Sequence, residues 1–127
     1  MNISHIDHIV LTVTSISESC EFYHNVLGME ILTFAEGRKA LRFGNQKINL
    51  HQKGNEVEPK ADLPTPGSAD LCFIATDTIA EIKDHLEKVQ CAIILGPVER
   101  TGAHGRIISV YFRDPDQNLI EISNYTD

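Results

Sequence analysis

The sequence predicts an α+β protein of two β-α-β-β-β modules, and three observations predict it. The first is a hairpin near the C-terminus. Residues 114–118, Asp-Pro-Asp-Gln-Asn, are dense turn chemistry: Pro115 presets φ, while Asp114, Asp116 and Asn118 can bond their own backbone. Apolar runs at 107–112 and 119–123 flank this turn and read as its strands. The second is a repeat of element order, strand–helix–strand–strand–strand, which occurs twice at similar length with little identity between the copies. The third is the stretch between the copies, residues 52–68, which carries Pro59, Pro64, Pro66, Gly54 and Gly67 and reads as a linker. The expected division is a first module over 1–53, a linker over 54–67 and a second module over 68–127.

Each element has its own justification. Residues 7–13 have the Val/Ile/Thr richness of a buried strand. Ser15 or Ser17 then caps a helix in which Phe22, Tyr23, Val26 and Leu27 recur at helical spacing, and Gly28 is placed to end it. A strand over 29–34 follows directly. After the Glu36-Gly37 turn come strands at 39–43 and 47–51, separated by Gly44-Asn45. In the second module, residues 70–75 form a strand, and residues 79–89 form a helix with Ile79, Ile82, Leu86 and Val89 on one face. A strand over 92–95 is ended by Gly96-Pro97, and residues 100–106 read as a loop with two glycine hinges, Gly102 and Gly105. The hairpin closes the chain.

The bulk numbers exclude several classes. A chain of 127 residues is one domain's worth, and 42% hydrophobic with 23% charged residues is ordinary for a globular protein. A formal net charge of -7 argues against a nucleic-acid or acidic-membrane partner. No apolar run approaches a membrane span, and the N-terminus lacks the basic and apolar regions of a signal peptide, so cytoplasm is the expected location. Cys20, Cys72 and Cys91 are odd in number and far apart, which favours buried thiols over a disulfide framework or a cysteine zinc site. Phosphate-binding loops, nucleophile elbows and Cys-His patterns are absent from the sequence.

Four ligand-capable residues stand at matching places. His8 begins the first strand and His51 ends the last strand of the first module; Asp70 opens the second module, and Glu121 lies in its final strand. Glu121 sits among Leu119, Ile120 and Ile122, where a carboxylate is costly to bury without a partner or a metal. If each module curls its sheet into a half-cup, these positions converge. Two imidazoles and two carboxylates around an open position suit Zn, Ni, Fe or Mn. Ordinary structural accounts also exist: His8 as a hydrogen-bonded strand-end residue, His51 as a solvent-facing one, Asp70 as a cap, and Glu121 paired with Arg113 or Arg42. Substrate-orienting groups would be Asn49, which shares a sheet face with His51 by the period of two, and Tyr111, which alternates with Ser109 opposite Glu121. Arg100 and Arg106 make the 100–106 loop either an anion-binding lid or an ordinary exposed loop. Arg38 and Arg42 are either similarly placed or merely solvated. His5, His24 and His85 read as structural or exposed.

The segments 7–13 (Asp-His-Ile-Val-Leu-Thr-Val), Phe22-Tyr23, 26–29 (Val-Leu-Gly-Met), 111–116 (Tyr-Phe-Arg-Asp-Pro-Asp) and 118–121 (Asn-Leu-Ile-Glu) together resemble the vicinal oxygen chelate superfamily. That superfamily includes glyoxalase I, extradiol dioxygenases, fosfomycin-modifying enzymes and bleomycin-resistance proteins. Segments 38–44, 47–51, 66–68, 96–98, 100–103 and 123–125 are similar to the glyoxalase domain-containing protein 5 group. The likeness runs over nearly the whole chain and implies a glyoxalase-like half-barrel cup. It implies metal ligands from the first and last strands of each module, and His8, His51 and Glu121 fall on three such positions. The fourth is Asp70 if Phe73 is matched to the family's usual His-Ile-Ala-Phe, or Leu71 if Ile79 is matched to Ile16. The family's glyoxalases run His, Glu, His, Glu; this chain runs His, His, Asp or Leu, Glu.

The expected function is a glyoxalase- or dioxygenase-like metalloenzyme, a lyase or a dioxygenase. A divalent metal would polarise vicinal oxygens of a small substrate, with Glu121, or else Asp70, leaving the metal to act as the catalytic base. The rival is a non-catalytic protein that sequesters a compound, as bleomycin-resistance relatives do; a site that only stabilises the fold is a third. The resemblance also implies a homodimer.

Overall fold

Alternation of apolar and polar residues builds the strands, and two short amphipathic stretches build the helices. A computed structural model of the chain describes residues 1–126; Asp127, the end of the expected second module, lies outside the described residues. Contacts divide the chain into two units, Met1–Gly67 and Ser68–Asp127.

The first unit contains β1 (His8–Val13), α1 (Ile16–Leu27), β2 (Glu30–Phe34), β3 (Arg38–Phe43) and β4 (Gln46–Gln52). Its sheet runs β1-β4-β3-β2, with β1 parallel to β4 and the other pairs antiparallel. Ser15, not Ser17, is the N-cap of α1: its side chain accepts from the Glu18 N–H. Gly28 ends the helix in the left-handed region (φ 69), where a side chain would be strained. Helix α1 lies on β2, β3 and β4. Tyr23 and Val26 of the helix are buried, as are Leu11, Val13, Leu41, Ile48 and Leu50 on one face of the sheet. Each such burial contributes about 1.5–3 kcal/mol.

The second unit contains β5 (Asp70–Ile74), α2 (Ile79–Lys88), β6 (Leu95–Gly102), β7 (Gly105–Arg113) and β8 (Leu119–Tyr125). Its sheet runs β5-β8-β7-β6, the same permutation, with β5 parallel to β8. Thr78 and Glu81 close a capping box at the start of α2. Ile82 and Leu86 of α2 are buried, as are Val110, Phe112, Ile120 and Ile122 of the sheet. The fold class is therefore α+β, in two similar modules whose four-stranded sheets are each mixed and open.

The hairpin turn forms as its residues dictate. Asp114 Oδ1 accepts from the Asp116 and Asn118 N–H groups, and Asp114 Oδ2 from Asn118 Nδ2. Asn118 Oδ1 in turn accepts from the Ala69 N–H, which ties the turn to the residue before β5.

Two expected elements differ. The strand expected at 92–95 begins at Leu95 and runs on to Gly102, so Gly96-Pro97 does not end it. A register shift between Leu95 and Val98 accommodates the pair as a bulge. Only glycine fits at 96, because a Cβ there would collide with the Ser109 carbonyl oxygen. The expected loop at 100–106 is likewise a hairpin: Arg100, Thr101 and Gly102 belong to β6, and Gly105 and Arg106 to β7. The two glycines differ: Gly105 takes a positive φ with open space around it, and Gly102 is closely packed. At Gly102 a Cβ would meet the Tyr125 hydroxyl at 2.8 Å, and that hydroxyl accepts from the His104 N–H at 3.0 Å.

Candidate functional site

Strand register fixes which side chains share a face. In the first module, the pairings His8↔Lys47, Val10↔Asn49 and Thr12↔His51 place His8, Asn49 and His51 on the face opposite the helix. His8 and His51 are separated along this face by four positions, about 13 Å at ~3.3 Å per residue. Asn49 stands only two positions from the residue paired with His8, about 7 Å along the strand. In the second module, Asp70↔Leu119 and Cys72↔Glu121 put Asp70 and Glu121 on one face with the same two-position offset. Leu71 pairs with buried Ile120 and lies on the other face.

That offset makes His8 and Asn49 the counterparts of Asp70 and Glu121. A second correspondence agrees. Gln52, at the end of β4, accepts from the Ile16 N–H and donates to the Thr14 carbonyl. Asn124, near the end of β8, donates to the Ala75 and Asp77 carbonyls. Each amide latches a final strand to the loop that enters the helix. Counting back three residues from each latch gives Asn49 in one module and Glu121 in the other.

The environments differ. The His8 imidazole is oriented by Asp7, whose Oδ2 accepts from Nδ1 at 2.9 Å, which leaves Nε2 available. Asn49 is 7% exposed, and its Oδ1 is buried and accepts no hydrogen bond. Burial and the nearby Arg38 charge hold the His51 imidazole below its usual pKa of 6.5, against an opposing pull from Glu56.

Glu121, by contrast, is held by hydroxyls. Ser109 Oγ donates to its Oε2 at 2.6 Å, Ser123 Oγ lies 3.4 Å from the same oxygen, and the two serine oxygens are 2.6 Å apart. Cys72 Sγ lies 3.3 Å from Ser123 Oγ. An ionised carboxylate only accepts, so the donors order in one direction: thiol to Ser123, Ser123 to Ser109, Ser109 to Glu121. No arginine pairs with Glu121 among the described residues. Arg42 bonds Glu30, and Arg113 donates to the Gln117 carbonyl. Tyr111 pairs directly with Glu121 across the strands, and its hydroxyl accepts from Arg100 Nε at 3.0 Å. Burial pushes the Tyr111 phenol above its usual range, with the Arg100 guanidinium opposing and Glu121 adding to the rise.

The structure thus gathers Glu121, Ser109, Tyr111 and Arg100 in one cluster. Arg106 lies elsewhere: it alternates away from Tyr111 along β7, and its guanidinium is taken by Glu99 at 3.1 Å. Sequence reasoning missed Ser123 and Cys72. Their period-two spacing from Glu121 and Asp70 was the available signal. Cys20 is buried as expected, but Cys72, on the edge strand β5, is exposed. Among the described residues, no group of three or more His, Cys, Asp or Glu side chains could hold a metal ion.

A duplicated β-α-β-β-β unit with polar positions repeated on the sheet face defines the class of protein. Residues 5–122 match the model of the Glyoxalase/Bleomycin resistance protein/Dioxygenase superfamily, and the chain belongs to that superfamily. A virulence protein of Salmonella typhimurium is 58% identical over 125 residues, covering 98% of this chain and 87% of the relative. Its crystal structure matches with a TM-score of 0.98 over 99% of this chain and all of that one. A glyoxalase domain-containing protein of Mycosarcoma maydis is 52% identical over 127 residues, covering all of this chain and 72% of the relative. A lactoylglutathione lyase from Agrobacterium tumefaciens (23% identity, TM-score 0.74, 97% and 95% covered) shares the fold alone. So does an antibiotic-binding protein from Streptomyces (20%, TM-score 0.76, 99% and 99% covered). One fold thus serves an enzyme and a binder, so function must be argued from residues. Superfamily members bind small molecules, typically use divalent metals and often form dimers. No helix among the described residues is long and apolar enough to cross a membrane.

Proposed function

We propose that the chain is a metal-dependent enzyme of the glyoxalase or dioxygenase type, working as a homodimer on a small substrate with vicinal oxygens. The observation that carries this reading is the recurrence of one polar pair at the same register offset: His8 with Asn49 in the first module, Asp70 with Glu121 in the second. Asn49 replaces His51 in the proposed set, because His51 is too far along the strand to share an ion with His8 in this register.

Two observations in the first module support a metal there. Asn49 holds out a buried oxygen with nothing to accept, and His8 is braced by a carboxylate in the way metal-bound imidazoles usually are. An imidazole with an amide oxygen in one module, and a pair of carboxylates in the other, are oxygen-rich donor pairs, which suit Mn(II) or Fe(II) better than Zn(II) or Ni(II). Such a metal supplies Lewis-acid polarisation of the substrate's oxygens. The chain's own groups do the rest. Glu121, fixed by Ser109, is the base that takes a proton from the substrate. Tyr111, kept protonated, donates a hydrogen bond to a developing oxyanion, and Arg100 steers the phenol.

Metal content tests the reading. Protein purified without chelator and offered Mn, Fe, Ni and Zn in turn should carry near-stoichiometric metal, and Glu121→Ala should lose it. No metal under any of these conditions would sink the metalloenzyme and leave the sequestering protein as the better account.

A further inference from the structure

The first module's site face also holds cations that the metal reading does not use. Continuing the β3–β4 register places Arg38 beside His51, with Phe34 its partner on β2; Lys47 lies beside His8 and Arg42. Between these rows stand Asn49 and the small, fully buried Ala40. The Arg38 guanidinium carbon is 4.9 Å from the Phe34 ring centroid, and Lys47 Nζ is 4.2 Å from the same centroid. Two positive charges are therefore gathered at one ring, which attracts each but does nothing to separate them from one another.

Neither is taken up in an ion pair, although the Asp7 carboxylate feels the Lys47 charge from a distance. The module's ion pairs among the described residues join His8 to Asp7, Arg42 to Glu30, and Lys60 to Glu56 and Glu58. The buried Nε of Arg38 donates to no acceptor, and two positions away in the grid the buried Oδ1 of Asn49 has no donor. In a chain of formal net charge -7, an unpaired pair of cations beside an unfilled donor is a local anion site. The Nε edge of a guanidinium presents a planar, two-donor fork that matches a carboxylate, while an ammonium adds a point charge with no directional demand.

We propose that Arg38 and Lys47 bind a carboxylate of the substrate, so that the substrate is a small organic acid carrying a second oxygen next to that carboxylate. The second oxygen rests on the metal reading above; the carboxylate subsite stands on the first module alone. Phe34 holds the two cations ready beside the small, covered Ala40, so Ala40→Leu, which would push them apart, should block binding.

The test uses the full chain, with and without chelator treatment. Three probes are titrated by calorimetry: glycolate, its uncharged methyl ester and inorganic phosphate. Glycolate should bind chelator-treated protein, and the ester at least about tenfold more weakly. Arg38→Gln and Lys47→Met should each weaken glycolate about tenfold or more, with Arg38→Lys recovering part of the loss. Circular dichroism checks that each variant is folded. Should Arg38→Gln fail to fold, Lys47→Met carries the test, because its partly exposed side chain leaves the core intact. Equal binding of glycolate and ester, unaltered binding by the folded variants, binding of phosphate in preference to glycolate, or no binding of glycolate would overturn the subsite. Added Mn(II) should tighten glycolate in the native chain. Glycolate binding that ignores Mn(II) would remove the metal reading and leave the carboxylate subsite standing.

Discussion

In the first module the face opposite the helix presents His8, Asn49, His51, Arg38 and Lys47, whereas the same face of the second presents Asp70, Glu121, Tyr111 and two serine hydroxyls. The scaffolds that display them are alike: the same strand permutation, the same amide latch and the same diagonal pair. Their satisfaction is not alike. Glu121 sits at the end of a completed donor chain, while Asn49 Oδ1 and Arg38 Nε have no partner. The same strand arrangement carries different side-chain networks in the two copies: the second satisfies its polar groups among themselves, and the first leaves two buried polar atoms without a partner.

The turns offer the largest way to break this comparison. The second module's last hairpin depends on the buried Asp114, which accepts three bonds; the first module closes the equivalent hairpin with Gly44-Asn45 alone. Asp114→Ala should cost about 3 kcal/mol in urea unfolding, since it strands buried donors. Asn45→Ala should cost less than about 1 kcal/mol.

Ser109→Ala comes next. It removes the short bond that fixes Glu121, so metal affinity by titration should fall about 10- to 100-fold, as for other groups that brace a ligand. Unchanged affinity would mean that the hydroxyl chain serves packing only. The latches should behave alike: Gln52→Ala and Asn124→Ala should each cost about 1 kcal/mol. A loss confined to one of them would break the equivalence of the modules.

The smallest effect is on acid stability. His51 has its folded-state pKa depressed, chiefly by burial, so its neutral form is favoured in the native chain. The unfolded chain binds that proton more readily, so stability is full above about 6.5 and is lost as pH falls through and below that value. His51→Gln should flatten this part of the pH–stability curve.

Element order was legible in the sequence because it rests on local periodicity and on turn chemistry at Gly28 and at Asp114 to Asn118. Gly96-Pro97 misled because the pair that usually stops a strand can also be absorbed as a bulge when a neighbouring backbone passes close, and Ser109 does so here. Arg106 looked like a site residue because residues 100–106 read as a loop; once they form a hairpin, alternation turns it away. The clusters were harder. Arg38, Lys47 and Phe34 meet only through register across three strands, and register is a tertiary property that no single strand's pattern contains. The choice between Asn49 and His51 is of the same kind: both lie on the site face, and only pairing with β1 tells which stands near His8.

The most direct test is therefore the Mn(II) affinity of Asn49→Ala against that of His51→Ala, each checked for a native melting temperature. Pairing of His8 with Asn49 predicts at least about a tenfold loss for Asn49→Ala and little change for His51→Ala. The reverse, with His51→Ala losing the metal and Asn49→Ala retaining it, would contradict the equivalence of the two modules on which the account rests.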